Sequence, residues 1–200
     1  IRDRALKVYG TYLLLVYLSG LVGGFFADKV LGSRKAIFVG GLVMGTGLFV
    51  MIQPSLIFYG LALVIAGNGF FKPNISTIVS GLYDERDSRR DGAFTIFYMG
   101  INIGAFLAIF SAGFAESIGN WNIGFVIAGL GMIVSLFVFG LGQKHIGTAG
   151  FPPGRAVTGE TRLNAADLRD IVLWAIVLSA VALGLVFMWN HGLAPLWAGI

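Results

Sequence analysis

Six long apolar runs separated by short loops dominate this chain: Val8–Ala27, Ala36–Ile52, Leu56–Leu82, Ala93–Ala115, Ile123–Leu141 and Ile171–Trp189. A helix needs about 20 mostly apolar residues to cross the hydrocarbon core of a bilayer, and these runs have that scale. Inside lipid every backbone polar group must be paired within the protein, which leaves helices and closed barrels as the only spanning structures. A barrel requires short segments of alternating hydrophobicity, and no alternation is sustained here. The pattern predicts an all-α, polytopic membrane bundle of six spans. Composition agrees, since 12% of residues are charged against about 25% in soluble domains.

Several chemistries drop out at once. The chain has no cysteine, so neither a disulfide framework nor thiol or Cys–metal chemistry is available. Its two histidines, His145 and His191, lie outside the runs, and no metal site is expected. No His, Asp, Glu or Cys lies within a run to serve as base or nucleophile, so no enzyme is expected. The net charge of +4 comes from loop residues and predicts topology rather than a nucleic-acid partner.

Basic residues follow the first run (Lys29, Arg34, Lys35), the third (Arg86, Arg89, Arg90) and the fifth (Lys144, Arg155, Arg162, Arg169). The loops after the second and fourth runs carry no Lys or Arg. The positive-inside rule makes the basic loops cytoplasmic and sends the first run from outside to inside. Arg2, Arg4 and Lys7 misfit that scheme, so residues 1–7 are expected to be a loop or helix end whose partner span lies upstream. Residues 142–166, rich in Gly, Pro and Thr, read as a mobile cytoplasmic linker. Asn164 would cap a further helix over residues 167–190, and residues 191–200 would begin the next segment. Glycines spaced four apart (Gly20 and Gly24, Gly41 and Gly45, Gly100 and Gly104) predict close helix packing.

The stretch GNGFFKPNIST, Gly67 to Thr77, places Lys72 and Pro73 inside the third run. A charge near the bilayer centre costs ~2.5–3.5 kcal/mol on insertion scales. Snorkelling of its stem to the interface is one escape. Asn68 and Ser76, four residues either side, instead put Lys72 on a polar stripe that should face a cavity or another helix. Pro73 removes a backbone hydrogen bond and disfavours helical geometry at Lys72, so a broken backbone is expected there. The amine would bind a carboxylate, either a substrate's or one from elsewhere in the protein.

In FTIFYMGINIGAF, Phe94 to Phe106, Tyr98 and Asn102 share one helix face, as cavity groups or as an interhelical hydrogen bond. Tyr9 and Tyr12 sit near the outer interface, while Tyr17 is deeper and the better cavity candidate. In GGFFADKVLGSRKAI, Gly23 to Ile37, Asp28 closes a run and Arg34 opens the next. Their basic turn is either static or a contact that holds one state of a moving bundle.

These three stretches together resemble the signatures of the proton-dependent oligopeptide transporter family, a branch of the major facilitator superfamily. The resemblance covers about residues 9 to 141, with three motifs in order. It implies a partial major facilitator bundle: residues 1–141 as helices two to six of the N-terminal half, then linker 142–166 and an inter-bundle helix 167–190 of bacterial type. The implied activity is proton-coupled import of di- and tripeptides across the inner membrane by alternating access. The implied partners are peptides, lipid, the family's first helix and its C-terminal half, with protons as coupling ion and no cofactor. Lys72 would serve proton coupling and hold the peptide carboxylate. Tyr17, Tyr98 and Asn102 would line the peptide cavity, and Asp28 and Arg34 would belong to the cytoplasmic gate. The family's acidic motif on helix one is absent from these residues, so they would not transport alone. A same-fold carrier of nitrate or another small anion, and a membrane assembly subunit without its own path, are the alternatives.

Overall fold

The computed structural model describes residues 2–151 together with Arg169 and Leu173. The expected sixth run, the Asn164 cap, linker residues 152–166 and residues 191–200 lie outside the described residues. Five helices account for the first five runs: α1 (Arg2–Phe26), α2 (Ser33–Val50), α3 (Ile57–Gly81), α4 (Arg89–Ser117) and α5 (Trp121–Gly142). Each contains a stretch long and apolar enough to cross a membrane.

The helix ends depart from expectation in instructive ways. Residues 2–7 are the first residues of α1, the helix-end alternative rather than the loop. α1 gives way to a π-helical turn, Ala27–Leu31, closed by the Gly32 amide donating to the Ala27 carbonyl at 2.8 Å. Gly32 then takes φ 74°, a left-handed conformation that costs glycine little, and this lets α2 begin at Ser33. α4 starts at Arg89 because the Asp87 carboxylate accepts the Arg89 amide at 2.9 Å. Asn120 caps α5 by accepting from the Asn122 amide at 3.1 Å. The break expected at Pro73 is not there, as α3 runs unbroken from Ile57 to Gly81. The proline ring packs beside Gly24 of α1, where a Cβ would lie in ordinary contact, 3.6 Å from the Pro73 Cβ. The next residue, Asn74, is buried and donates its amide to the Phe70 carbonyl at 2.8 Å.

α3 lies between α1 and α2, α2 packs on to α5, and α5 on to α4; α3 touches α4 only sparingly. The α2–α3 seam is built on glycine. A Cβ on Gly40 would sit 2.6 Å from the Gly67 carbonyl oxygen, and one on Gly47 would sit 2.7 Å from that of Gly60. Gly40 and Gly47 are seven apart, as are Gly60 and Gly67, so two antiparallel helices meet twice along one face. On the other side of α3, a Cβ on Gly69 would lie 2.5 Å from the Ser19 carbonyl oxygen of α1. Such approach maximises dispersion contact, which must drive helix association where lipid is as apolar as the side chains. The four-residue spacings are used unevenly. Gly41 and Gly45 do face α5, against Leu136 and Met132, whereas Gly20, Gly100 and Gly104 meet no described side chain within 4 Å.

Candidate functional site: a lysine over a tyrosine ring

Lys72 lies on α3 roughly 14 Å from the helix end at Gly81, at 1.5 Å rise per residue. Its Nζ stands 5.2 Å from the centroid of the Tyr17 ring of α1, within the ~6 Å at which an aromatic face attracts a cation. The contact follows from the α1–α3 seam: helical side chains lean toward the N-terminus, and the lysine stem therefore runs back along α3 toward the level of Tyr17. Both residues are exposed, Tyr17 at 68%. Among the described residues Lys72 makes no ion pair and no hydrogen bond to a carboxylate. The ring partly screens the charge and leaves the ammonium protons free for an anion.

Tyr98 and Asn102 form a separate group on α4. Asn102 donates its side-chain amide to the Tyr98 backbone carbonyl at 3.0 Å, one turn back in the same helix. The amide group is thus spent within its own helix and makes no interhelical hydrogen bond among the described residues. Its carbonyl oxygen and the Tyr98 hydroxyl are left for other partners. Tyr98 also stacks within its own helix, 5.8 Å from Phe97 and 6.5 Å from Phe94. No described hydrogen bond or ring contact joins this pair to Lys72 or Tyr17. The structure thus brings two of the four candidate cavity residues together and leaves the other two on a neighbouring element.

Where α1 gives way to α2, Asp28 and Arg34 are not joined either. Asp28 lies exposed in the π-helical turn and makes no hydrogen bond or ion pair to another described residue. Arg34 turns the other way, onto the segment that follows α5. Its Nε donates to the Ala149 carbonyl at 2.7 Å, its Nη2 to the Gly147 carbonyl at 2.6 Å and its Nη1 to the Gln143 side chain at 3.3 Å. The Phe151 ring lies against the guanidinium, 4.2 Å from Cζ to centroid. Residues 143–151, expected as the start of a mobile linker, are thus folded against the bundle. Sequence reasoning missed Gln143 and Phe151 as partners of Arg34. The available signal was the pair Gly147 and Gly150, whose φ values of 63° and 80° turn the chain back. A second overlooked link joins α4 to α3, where Arg90 donates to the Ser80 hydroxyl at 2.8 Å.

Comparison with known proteins bears on this arrangement. A sequence model of the POT family matches residues 13–173. The di-/tripeptide transporter of Lactococcus lactis subsp. lactis (strain IL1403) is 38% identical over 181 residues, covering 88% of this chain and 36% of its own length. A crystal structure of a peptide transporter POT in complex with sulfate superposes with a TM-score of 0.75 at 36% identity, over 96% of this chain and 39% of that one. A bacterial homologue of the human drug peptide transporters PepT1 and PepT2 superposes with a TM-score of 0.78 at 27% identity, over 97% of this chain and 45% of that one. The chain therefore spans less than half the length of these relatives. With a family match across most of its residues and five helices fit to cross a bilayer, this chain is a multi-pass membrane protein of the POT family and carries part of its major facilitator fold.

Proposed function

We propose that this chain is the greater part of the N-terminal half-bundle of a proton-coupled symporter that imports di- and tripeptides by alternating access. The observation that carries the reading is the Lys72 ammonium, held over Tyr17 at membrane depth with no acidic partner among the described residues. An intramembrane cation without a counter-charge calls for an anion from elsewhere. Two anions fit: a carboxylate on the rest of the protein, and the carboxylate end of a peptide. Competition between them for one ammonium links peptide binding to protonation of the acid, because protonating that acid releases the lysine. The ligand shifts the conformational balance only through its differential affinity for the two states. The name of the lactococcal relative supplies the substrate class.

Tyr17 is the positioning ring in this scheme. Tyr98 and Asn102 present a hydroxyl and an amide oxygen along α4 for the peptide backbone. Asp28, exposed at the end of α1, is the acid of the cytoplasmic gate. Lipid is the solvent of the outer helix faces, and the first helix and C-terminal half of the full transporter complete the path.

Uptake of a labelled dipeptide into proteoliposomes holding the full-length parent, with and without an inward proton gradient, tests the reading. Wild type should accumulate peptide only under the gradient, and folded Lys72→Ala should lose that accumulation. Gradient-driven uptake that survives Lys72→Ala would reduce the lysine to a packing residue. A well-folded wild type that takes up no dipeptide would sink peptide cargo.

A further inference from the structure

Arg34 was expected at a gate, yet every polar contact of its guanidinium among the described residues runs to the segment after α5. We propose that residues 147–151 form a brace across the cytoplasmic ends of α2 and α3, and that the role of Arg34 is to clasp this brace rather than to pair with an acid across the gate.

The brace touches both helices. On α2, Arg34 grips from two levels, its guanidinium on the Gly147 and Ala149 carbonyls and its backbone amide on the Gly150 carbonyl at 3.2 Å. Phe151 closes over the guanidinium face. On α3, Gly150 sits in the wedge between the two helices: a Cβ there would lie 3.0 Å from Ile78 Cγ1 and 3.1 Å from Arg34 Cγ. Only glycine fits both that space and its φ of 80°. One turn beyond Ile78, a Cβ on Gly81 would lie 3.4 Å from the Ala149 Cβ. Arginine suits the task because its planar fork reaches three acceptors at once and can stack on an aromatic ring; lysine offers a point charge and no fork. Hydrogen bonds from a charged donor are the stronger kind. Asp28, the acid at this end of α1, takes no part.

The gap between residues 81 and 149 provides the test, because Cβ atoms of a disulfide lie about 3.5–4.5 Å apart and these 200 residues contain no cysteine to interfere. In the full-length parent, stripped of any cysteine elsewhere, Gly81→Cys with Ala149→Cys should close a disulfide under mild oxidation. Arg34→Gln should slow closure about tenfold or more, the scale of losing one charged hydrogen bond, with Arg34→Lys between the two. The functional arm rests on the peptide-uptake reading: Arg34→Gln should reduce uptake, the disulfide should restore it to within about twofold, and reductant should undo the rescue. Absence of the disulfide with Arg34 in place would overturn the brace. A disulfide that forms but fails to rescue would return Arg34 to the gate. A disulfide that by itself stops uptake would show that the segment has to leave, which also overturns the proposal. If wild type carries no peptide, the closure rates alone decide for or against the clasp, so the two readings fail separately. Should Arg34→Gln not fold, the closure rate of Arg34→Lys decides in its place.

Discussion

α2 and α3 meet backbone to backbone, whereas α4 and α5 are held to the rest of the bundle through side chains. In the first case glycines face carbonyl oxygens at Gly40–Gly67, Gly47–Gly60 and Gly69–Ser19, joining α1, α3 and α2 into one unit. In the second, the Phe49 ring lies over Gly129 and Leu136 fills the space beside Gly41. Phe38 and Phe139 add a ring contact at 5.2 Å. Among the described residues α4 is looser still: Ala115 packs near Gly124 at one end, Arg90 meets Ser80 at the other, and Ile96, Ile103, Phe106 and Phe110 are exposed between them. Backbone contact admits no adjustment, while a flexible side chain can repack. The difference falls across the candidate site. Lys72 and Tyr17 both belong to the rigid unit, which fixes the cation by itself. Tyr98 and Asn102 ride on α4, whose described side-chain contacts named above lie at its two ends.

The strongest test of this contrast sets one glycine from each region side by side. Gly40→Val would drive a Cβ to within 2.6 Å of the Gly67 carbonyl oxygen and 2.8 Å of the Phe71 amide nitrogen, and neither backbone can move without unseating α3. Overpacking of this kind should cost about 3 kcal/mol or more and deprive the parent protein of a monodisperse folded fraction in size-exclusion chromatography. Gly104→Val, on the open face of α4, should change stability by less than about 0.5 kcal/mol. Equal damage from both would erase the distinction between the two regions.

The distinction was only partly legible in the sequence. Hydrophobic length located all five described helices, because burying backbone in lipid imposes one element and one minimum size. The glycine spacing was read only in part, since Gly41 and Gly45 do pack on α5. Four-residue pairs stand out to the eye, but the α2–α3 seam repeats every seven, and its meaning depends on which helix lies opposite. Spacing within one span cannot say that. Pro73 misled for a related reason: its local preference argues for a break, and the packing of α3 between α1 and α2, which no single span reveals, keeps the helix continuous. Lys72 and Tyr17 were each singled out by depth and chemistry, yet their contact depends on the register of α1 against α3. Arg34 stood out in the sequence and its partners did not, since Gly147 and Ala149 offer only backbone carbonyls, which carry no side-chain signature.

A smaller effect sharpens the role of the rigid unit. If Tyr17 acts on Lys72 through its ring, Tyr17→Phe should keep the contact and Tyr17→Leu should lose it. A cation–π contact contributes about 0.5–2 kcal/mol depending on exposure, so the leucine variant should raise the KM for dipeptide by about 2- to 30-fold, with the phenylalanine variant near wild type. Parallel losses in both variants would instead assign the effect to the hydroxyl, as a direct contact with substrate, and would move Tyr17 into the same class as Tyr98.

The smallest effect concerns how the looser region is started. Asp87 accepts the Arg89 amide and also Arg89 Nη2 at 2.8 Å, an exposed local clasp at the first turn of α4. These hydrogen bonds from Arg89 hold the Asp87 carboxyl down at about 2, below its usual 3.8. The folded value lies below the unfolded one, so the contribution is complete above the ordinary carboxylate range and disappears as pH falls through about 2. Amide exchange in the first turn of α4, corrected for the intrinsic pH dependence, should therefore stay constant from pH 7 to about pH 4 and rise only below it. Asp87→Asn should remove that acid step while leaving protection at Gly60 and Gly67 in the α2–α3 seam untouched. A change that spread to the seam would mean that α4 and the glycine-packed unit open together, and the two regions would have to be treated as one.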